Sequence, residues 1–320
     1  MRAVTVAGKD MLPVLENKDL PVAGLDEVVL QLHASAMNHR DVWITKGLYP
    51  GIRYGCTMGS DGCGTYLGQE YIINPGLGWG DSEQAQSSSF RVLGVPDEGT
   101  FADNIAIDRK YLHPKPDHLS VHQAAALPLA GVTAYRALLS RARATAGEKV
   151  LITGIGGGVA LMAMQFALAQ GCAVFVTSSD PDKIHKAKNM GASEGYNYKD
   201  PDWPKKLAAD AGGVDVVIDG ACGAGFSSLV KVCNPGGRIA FYGATAGPVD
   251  SLNPQAVFWK QLSILGSTMG SESDFALMVD FVAKHRVTPV IDEVVPLDNF
   301  ESGFRRMAAG SQFGKIVFSH

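Results

Sequence analysis

The stretch VLITGIGGGVALMAMQFALAQG, residues 150–171, limits what this chain can fold into more than any other. Val150, Leu151 and Ile152 form a short apolar run of the kind a strand buried on both faces shows. Gly154, Gly156, Gly157 and Gly158 follow, and the run from Ala160 to Leu168 is too apolar for a surface helix. Gly171 is placed to end that helix in the left-handed conformation. Strand, glycine turn and helix in this order suit phosphate binding. Glycines let the backbone approach a pyrophosphate, and the helix start offers unpaired N–H groups and partial positive charge. From Gly154 the spacing is G-x-G-G-G-x-A, looser than G-x-G-x-x-G, so a plain glycine-rich turn is the competing reading.

The next apolar run, Ala173 to Thr177, predicts a second strand, and Asp180-Pro181 is a helix N-cap with proline at the first helical position. A unit that binds NAD usually ends its second strand with an acid that holds the ribose 2′-hydroxyl. Here Ser178 and Ser179 stand at that end, with Lys183 one turn into the helix. Two hydroxyls and a cation suit a 2′-phosphate, which an acid would repel, so NADP(H) is expected over NAD(H). A solvated helix start is the plainer alternative.

The chain has 320 residues, 46% of them hydrophobic, and a formal net charge of −4. That length predicts two domains with ample core. The mild acidity supplies no basic stripe for nucleic acid. No apolar run is long enough to cross a bilayer, and Met1-Arg2-Ala3-Val4 leads straight into a strand pattern rather than a signal peptide. Five scattered cysteines fit reduced thiols, so a cytoplasmic protein without a disulfide frame is expected.

Residues 1 to about 115 predict a β-rich region with strands at Arg2–Val6, Glu27–Ala34 and Tyr71–Asn74, punctuated by glycine and proline. The polar, glycine-rich stretch 74–99 is long for a loop and is expected to be either functional or mobile. Leu112 to Ser120, where Pro114 and Pro116 forbid a continuous helix, reads as a domain boundary. Beyond the glycine loop, strands are expected at 195–198, 214–219, 238–243 and 263–267 with helices between several of them, which indicates a doubly wound, mostly parallel sheet. The tail reads as helix 275–284, strand 291–296, helix 300–309 and strand 315–318.

In this order the motifs resemble the medium-chain dehydrogenase/reductase superfamily, closest to its zinc-free, quinone-oxidoreductase-like branch. The residues that carry the resemblance are Asn38-x-x-Asp41, Gly47-Leu48-Tyr49-Pro50, Gly59-Ser60-Asp61-Gly62, the run Ala125 to Tyr135, the glycine loop, Val216 to Ala221, Gly236-Gly237-Arg238 and Gly314-Lys315-Ile316-Val317. They span nearly the whole chain. The resemblance implies an α/β protein: a Rossmann doubly wound parallel sheet (residues 119–267) and a β-rich, GroES-like catalytic domain split between residues 1–118 and 268–320. It implies NADP(H) in a cleft at the carboxyl ends of the strands. Asn38 and Thr133 would lie near the nicotinamide, and Gly154, Gly156, Gly157, Gly158 and Val159 at the pyrophosphate. Ser178, Ser179, Lys183 and Tyr198 would surround the 2′-phosphate, with Ala221, Tyr242, Gly243, Ser267 and Lys315 along the rest.

Zinc members of the superfamily carry Cys, His and Cys where this chain has Asn38, Ser60 and Leu129, a set that cannot hold zinc. Residues 74–112 contain no cysteine, so the structural-zinc lobe is missing as well. Without a Lewis acid to ionise an alcohol, the expected reaction is hydride delivery from NADPH to a quinone or an α,β-unsaturated carbonyl, with Asn38, Tyr49 and Tyr54 as the polar groups near the acceptor. A zinc-dependent alcohol dehydrogenase and a non-catalytic NADPH-binding protein are the alternatives. The hairpin after Gly64 is shorter than the family usually has. A homodimer is expected, paired through the apolar strand at 263–267, with no nucleic-acid or membrane partner.

Overall fold

The computed structural model describes all 320 residues. The chain divides into two compact units, Met1–Val132 with Ser271–His320, and Thr133–Gly270. The division falls inside the helix Pro128–Tyr135 and after Gly270. Two features keep the proline-punctuated stretch in the first unit. Leu112–Pro114 is a strand paired with Tyr71–Ile73, and the helix Val121–Ala125, capped by Ser120, packs on strands Glu27–Ala36 and Asp61–Tyr66.

The second unit is a Rossmann doubly wound α/β fold. Its six-stranded sheet runs in the order Glu194–Asn197, Ala173–Ser178, Lys149–Ile152, Val214–Asp219, Cys233–Phe241, Ser263–Gly266. Every neighbouring pair is parallel. The order reverses beside the first strand, and that switch point is where such sheets bind ligands. Val150, Leu151, Ile152, Val216, Val217 and Ile218 are all fully buried, as central parallel strands must be. The helix Gly158–Ala169 buries Ala160 to Met164, Phe166 and Ala167, which explains its lack of a polar face. Gly171 ends it at φ +86°. Asp180 caps the helix Pro181–Asn189 by accepting the Asp182 N–H at 2.9 Å.

The first unit is the β-rich, GroES-like part. Its seven-stranded sheet runs Ile291–Pro296, Lys315–Ser319, Glu27–Ala36, Asp61–Tyr66, Gln69–Ile73, Leu112–Pro114, and Asn104–Asp108 pairs with the long central strand Glu27–Ala36. The C-terminal strand is thus laid antiparallel against Ser35 and Ala36, which brings Lys315 beside the first helix, His39–Thr45. The core behind them contains Val4, Met37, Ile44, Met58, Phe101, Phe304 and Phe318.

Glycine composition hid the strand Asp61–Tyr66 from the sequence reading. Gly64 is there because a Cβ would stand 2.2 Å from the Gln31 carbonyl oxygen, not because the chain turns. The turn comes later. Leu67 and Gly68, at φ +49° and +80°, join Tyr66 to Gln69 as a two-residue hairpin. The polar stretch 74–99 is tied down by a short ladder, Gly76–Leu77 on Arg91–Val92, and by Trp79, which is 1% exposed and donates to the Ser82 carbonyl. No helix is long and apolar enough to cross a membrane.

Candidate active site

In the first unit, a buried cluster forms where three elements meet. Asn38 precedes the helix His39–Thr45, Asp61 opens the strand Asp61–Tyr66, and Lys315 opens the last strand. All three are nearly inaccessible, at 7, 0 and 4% exposure. The Lys315 ammonium donates to Asn38 Oδ1 at 2.7 Å and to Asp61 Oδ2 at 2.8 Å. Asn38 Nδ2 donates to the same Asp61 oxygen at 2.9 Å, and the Leu129 N–H donates to Asp61 Oδ1 at 2.8 Å. A buried ammonium needs such a partner, since an unpaired charge in a protein interior is costly. Lys315, expected along the cofactor, is accordingly turned onto Asp61 and Asn38. Asp41 lies behind them, wholly buried. One of its oxygens accepts the Asn38 N–H at 2.8 Å and the other has no partner. Loss of solvation outweighs the nearby Arg40 and Lys315 charges and pushes the Asp41 carboxyl up to about 6.

A second buried cation holds the outer wall of this unit. The Arg40 guanidinium donates to Ser60 Oγ at 2.6 Å, to the carbonyls of Leu93 and Gly94 at 2.8 Å and to that of Val95 at 3.1 Å. It stacks 4.5 Å from the centre of the Tyr49 ring. Tyr49 is therefore half-buried under a cation. Tyr54 is 62% exposed and is not part of the buried cluster. Arg40 was not singled out from the sequence, although a charged run, His39-Arg40-Asp41, at the start of a helix that buries Val42 and Ile44 is a signal that could have found it.

The metal question turns on donor chemistry. Ser60 Oγ is engaged by Arg40 and also donates to the Leu93 carbonyl, Asn38 is engaged by Lys315 and Asp61, and Leu129 offers only its backbone. Cys56 and Cys63 are buried thiols, pushed up by desolvation, Cys63 to about 12. No group of three His, Cys, Asp or Glu side chains gathers at one point.

In the second unit, the glycine loop is anchored from below. Ile155 N–H donates to the Thr177 carbonyl at 2.8 Å. Gly154 and Gly156 take φ +64° and +123°, where a side chain would be strained. Around Gly154 and Gly157 a Cβ would meet nothing within 4 Å, whereas at Gly156 it would meet the Lys183 chain at 2.8 Å. Lys183 thus lies along the loop. The helix that follows has no side-chain cap, so no capping side chain claims the first-turn N–H groups at Gly158 and Val159. At the neighbouring strand end Ser178 is buried, its hydroxyl accepting the Asp180 N–H at 3.1 Å, and Ser179 is half-buried. Tyr198 is half exposed, with its N–H on the Ser178 carbonyl at 3.2 Å.

Asp219, missed from the sequence, shapes the far side. Its carboxylate accepts the Thr153 hydroxyl and the N–H groups of Ala221 and Cys222, fixing the turn after its strand. Tyr242 lies across Gly220, where a Cβ would stand 2.7 Å from the phenol oxygen, and Gly243 follows it. Thr133 is buried with its hydroxyl toward Met269 sulfur. The Ser267 hydroxyl is buried with no partner in the protein. An orphaned hydroxyl and open space above a bare helix start fit a dinucleotide.

Two family models match the chain: "Alcohol dehydrogenase GroES-like domain" over residues 24–117 and "Zinc-binding dehydrogenase" over residues 158–284. A zinc-type alcohol dehydrogenase-like protein, YogA, of Leptosphaeria maculans is 37% identical, with 93% of this chain and 91% of that one covered. The quinone oxidoreductase of Mus musculus is 31% identical over 99% and 97%. Among solved structures, an NAD-dependent alcohol dehydrogenase superposes with TM-score 0.93 at 35% identity, both chains fully covered. The quinone oxidoreductase of Thermus thermophilus, solved also with NADPH, superposes with TM-score 0.84 at 26% identity, again over both full chains.

Proposed function

Because the chain belongs to the medium-chain dehydrogenase/reductase superfamily, we propose that it is an NADPH-dependent oxidoreductase that reduces a quinone or an α,β-unsaturated carbonyl without a metal. The observation that carries this is the Lys315 ammonium, 2.7 Å from Asn38 Oδ1 and 2.8 Å from Asp61 Oδ2. A cation already stands where a metal site would need its donors free, and an additional divalent ion would be repelled by it.

When bound, NADPH supplies a hydride, and with one proton from solvent this completes a two-electron reduction of the acceptor. Gly154, Gly156, Gly157, Gly158 and Val159 would hold the pyrophosphate on the bare helix start. Ser178, Ser179, Lys183 and Tyr198 would hold the 2′-phosphate. Asp180 does not compete, because its carboxylate is spent on the helix cap. Thr133, Ala221, Tyr242, Gly243 and Ser267 would line the remainder, the Ser267 hydroxyl finding there the partner it lacks in the protein. Asn38 would donate to the acceptor oxygen as negative charge builds on it.

The exposed edge of the six-stranded sheet supports a homodimer. Ser263–Gly266 is the last strand, and Phe258 and Trp259 are 65 and 81% exposed. An unpaired strand edge, with two bare aromatic rings a few residues before it in the chain, is a surface that a second copy would cover.

Steady-state oxidation of NADPH with a panel of quinones and enones tests the reading. Turnover with NADPH and a metal content far below one per chain are expected. Tight NADPH binding with no turnover on any acceptor would favour a binding protein, and stoichiometric zinc would favour an alcohol dehydrogenase.

A further inference from the structure

The geometry points to Lys315 as a positioning residue that locks the Asn38 carboxamide in one orientation and so determines which edge of it meets the acceptor. The inference rests on the proposed reduction and deepens it.

An asparagine amide can usually turn over, exchanging oxygen for nitrogen at little cost, because its two ends are nearly the same shape. Asn38 cannot. Its oxygen faces an ammonium at 2.7 Å and its nitrogen faces a carboxylate oxygen at 2.9 Å. Turning it over would set two donors against each other at Lys315 and two acceptors at Asp61, in a site that water barely reaches. Asp61 is itself fixed from the other side by the Leu129 N–H at 2.8 Å and, through its backbone carbonyl, by the Thr100 hydroxyl at 2.8 Å. The amide is therefore held by an ion pair that is held in turn by two strands and a helix start.

Hydrogen-bond arithmetic leaves a definite remainder. The ammonium has three N–H bonds and uses two; the amide nitrogen has two and uses one. One amide N–H and one ammonium N–H stay without a protein acceptor, on two side chains joined by the 2.7 Å bond from Lys315 to Asn38 Oδ1. Donors fixed before charge develops cost no reorganisation when it does. Lys315 acts on the acceptor through Asn38, both by holding the amide and by polarising it through its oxygen.

The test uses the full-length chain with Lys315→Gln, and with Lys315→Gln combined with Asp61→Asn, which leaves no unpaired buried charge. Kinetics are measured on acceptors of graded reduction potential. NADPH affinity is expected within twofold of the parent, and kcat lower by about tenfold or more, with the greatest loss for the least electron-poor acceptors. A structural role alone would not change that slope. Equal kcat across the series, or a weaker NADPH affinity with an unchanged slope, would overturn the inference. So would a double variant that fails to fold, since the cluster would then serve the fold. If the parent reduces no acceptor, the proposed function fails first. The lock is then read by NMR: the Asn38 side-chain amide protons exchange slowly with water in the parent and fast in the double variant if Lys315 holds them, and equal exchange overturns it.

Discussion

The guanidinium of Arg40 donates to Ser60 Oγ at 2.6 Å, and with the same side chain ties down the carbonyls of Leu93, Gly94 and Val95. One buried cation thus stitches the loop 93–95 to the strand that delivers Asp61. Val95 is a β-branched residue at φ +71°, a conformation that its side chain resists, so the loop is held there rather than resting there.

Arg40→Ala should therefore strand the Gly94 and Val95 carbonyls without a donor, leaving Leu93 only the Ser60 hydroxyl, and cost about 3 kcal/mol or more of stability. Arg40→Lys, which keeps the charge but loses the fork, should cost less. Urea denaturation midpoints of the three proteins check the order; a loss below about 1 kcal/mol for alanine would contradict it.

Asp41 makes a prediction about pH. Its folded carboxyl is raised from 3.8 to about 6, so its stabilising contribution is fully present below 3.8, where both states are protonated, and is lost as pH rises through about 6. Asp41→Asn cannot ionise. Its stability relative to the parent should rise between pH 4 and 7 by at most about 3 kcal/mol and then level off. A flat difference across that window would show that Asp41 titrates normally.

At the proposed dinucleotide site, Ser179→Asp would set a carboxylate against the 2′-phosphate of NADPH. NADPH affinity should fall about tenfold or more, the equivalent of ~1.4 kcal/mol, while NADH affinity stays nearly unchanged. Fluorescence titration with both nucleotides measures it. Equal losses for the two would place the 2′ position elsewhere.

Gly156→Ala should weaken both nucleotides. The residue sits at φ +123°, and the added methyl would meet Lys183 at 2.8 Å, pushing the lysine off the loop. A variant that binds as the parent does would show that the lysine chain shifts aside without loss of the loop.

For the dimer, Trp259→Asp puts a charge on the barest aromatic ring shortly before the edge strand. Sedimentation should show the dimer dissociation constant raised about 100-fold. A parent protein that sediments as a monomer would remove the basis for that prediction.

The unit with the parallel sheet was legible because its signals are local. Val150-Leu151-Ile152, the glycine cluster and the Asp180-Pro181 cap each follow from what their own residues need. The first half was less so. Asn104–Asp108 and Leu112–Pro114 became strands through partners about 75 and 40 residues away, which no short window contains. The bond of Lys315 to Asp61 was not legible, because only the antiparallel pairing of the last strand on Ala36 brings the two together. Arg40 and Asp219 escaped for a related reason: a buried charge looks like a surface one until its acceptors or donors are seen.

The ammonium among Asn38, Asp61 and Leu129 also sets a limit on redesign. Thiolate and imidazole side chains grafted at 38, 60 and 129 would still face a resident positive charge from Lys315, and the group at 60 would have to displace Arg40. Building a zinc site of that kind at these positions is a five-position problem, with two evictions to be made before any ligand is installed.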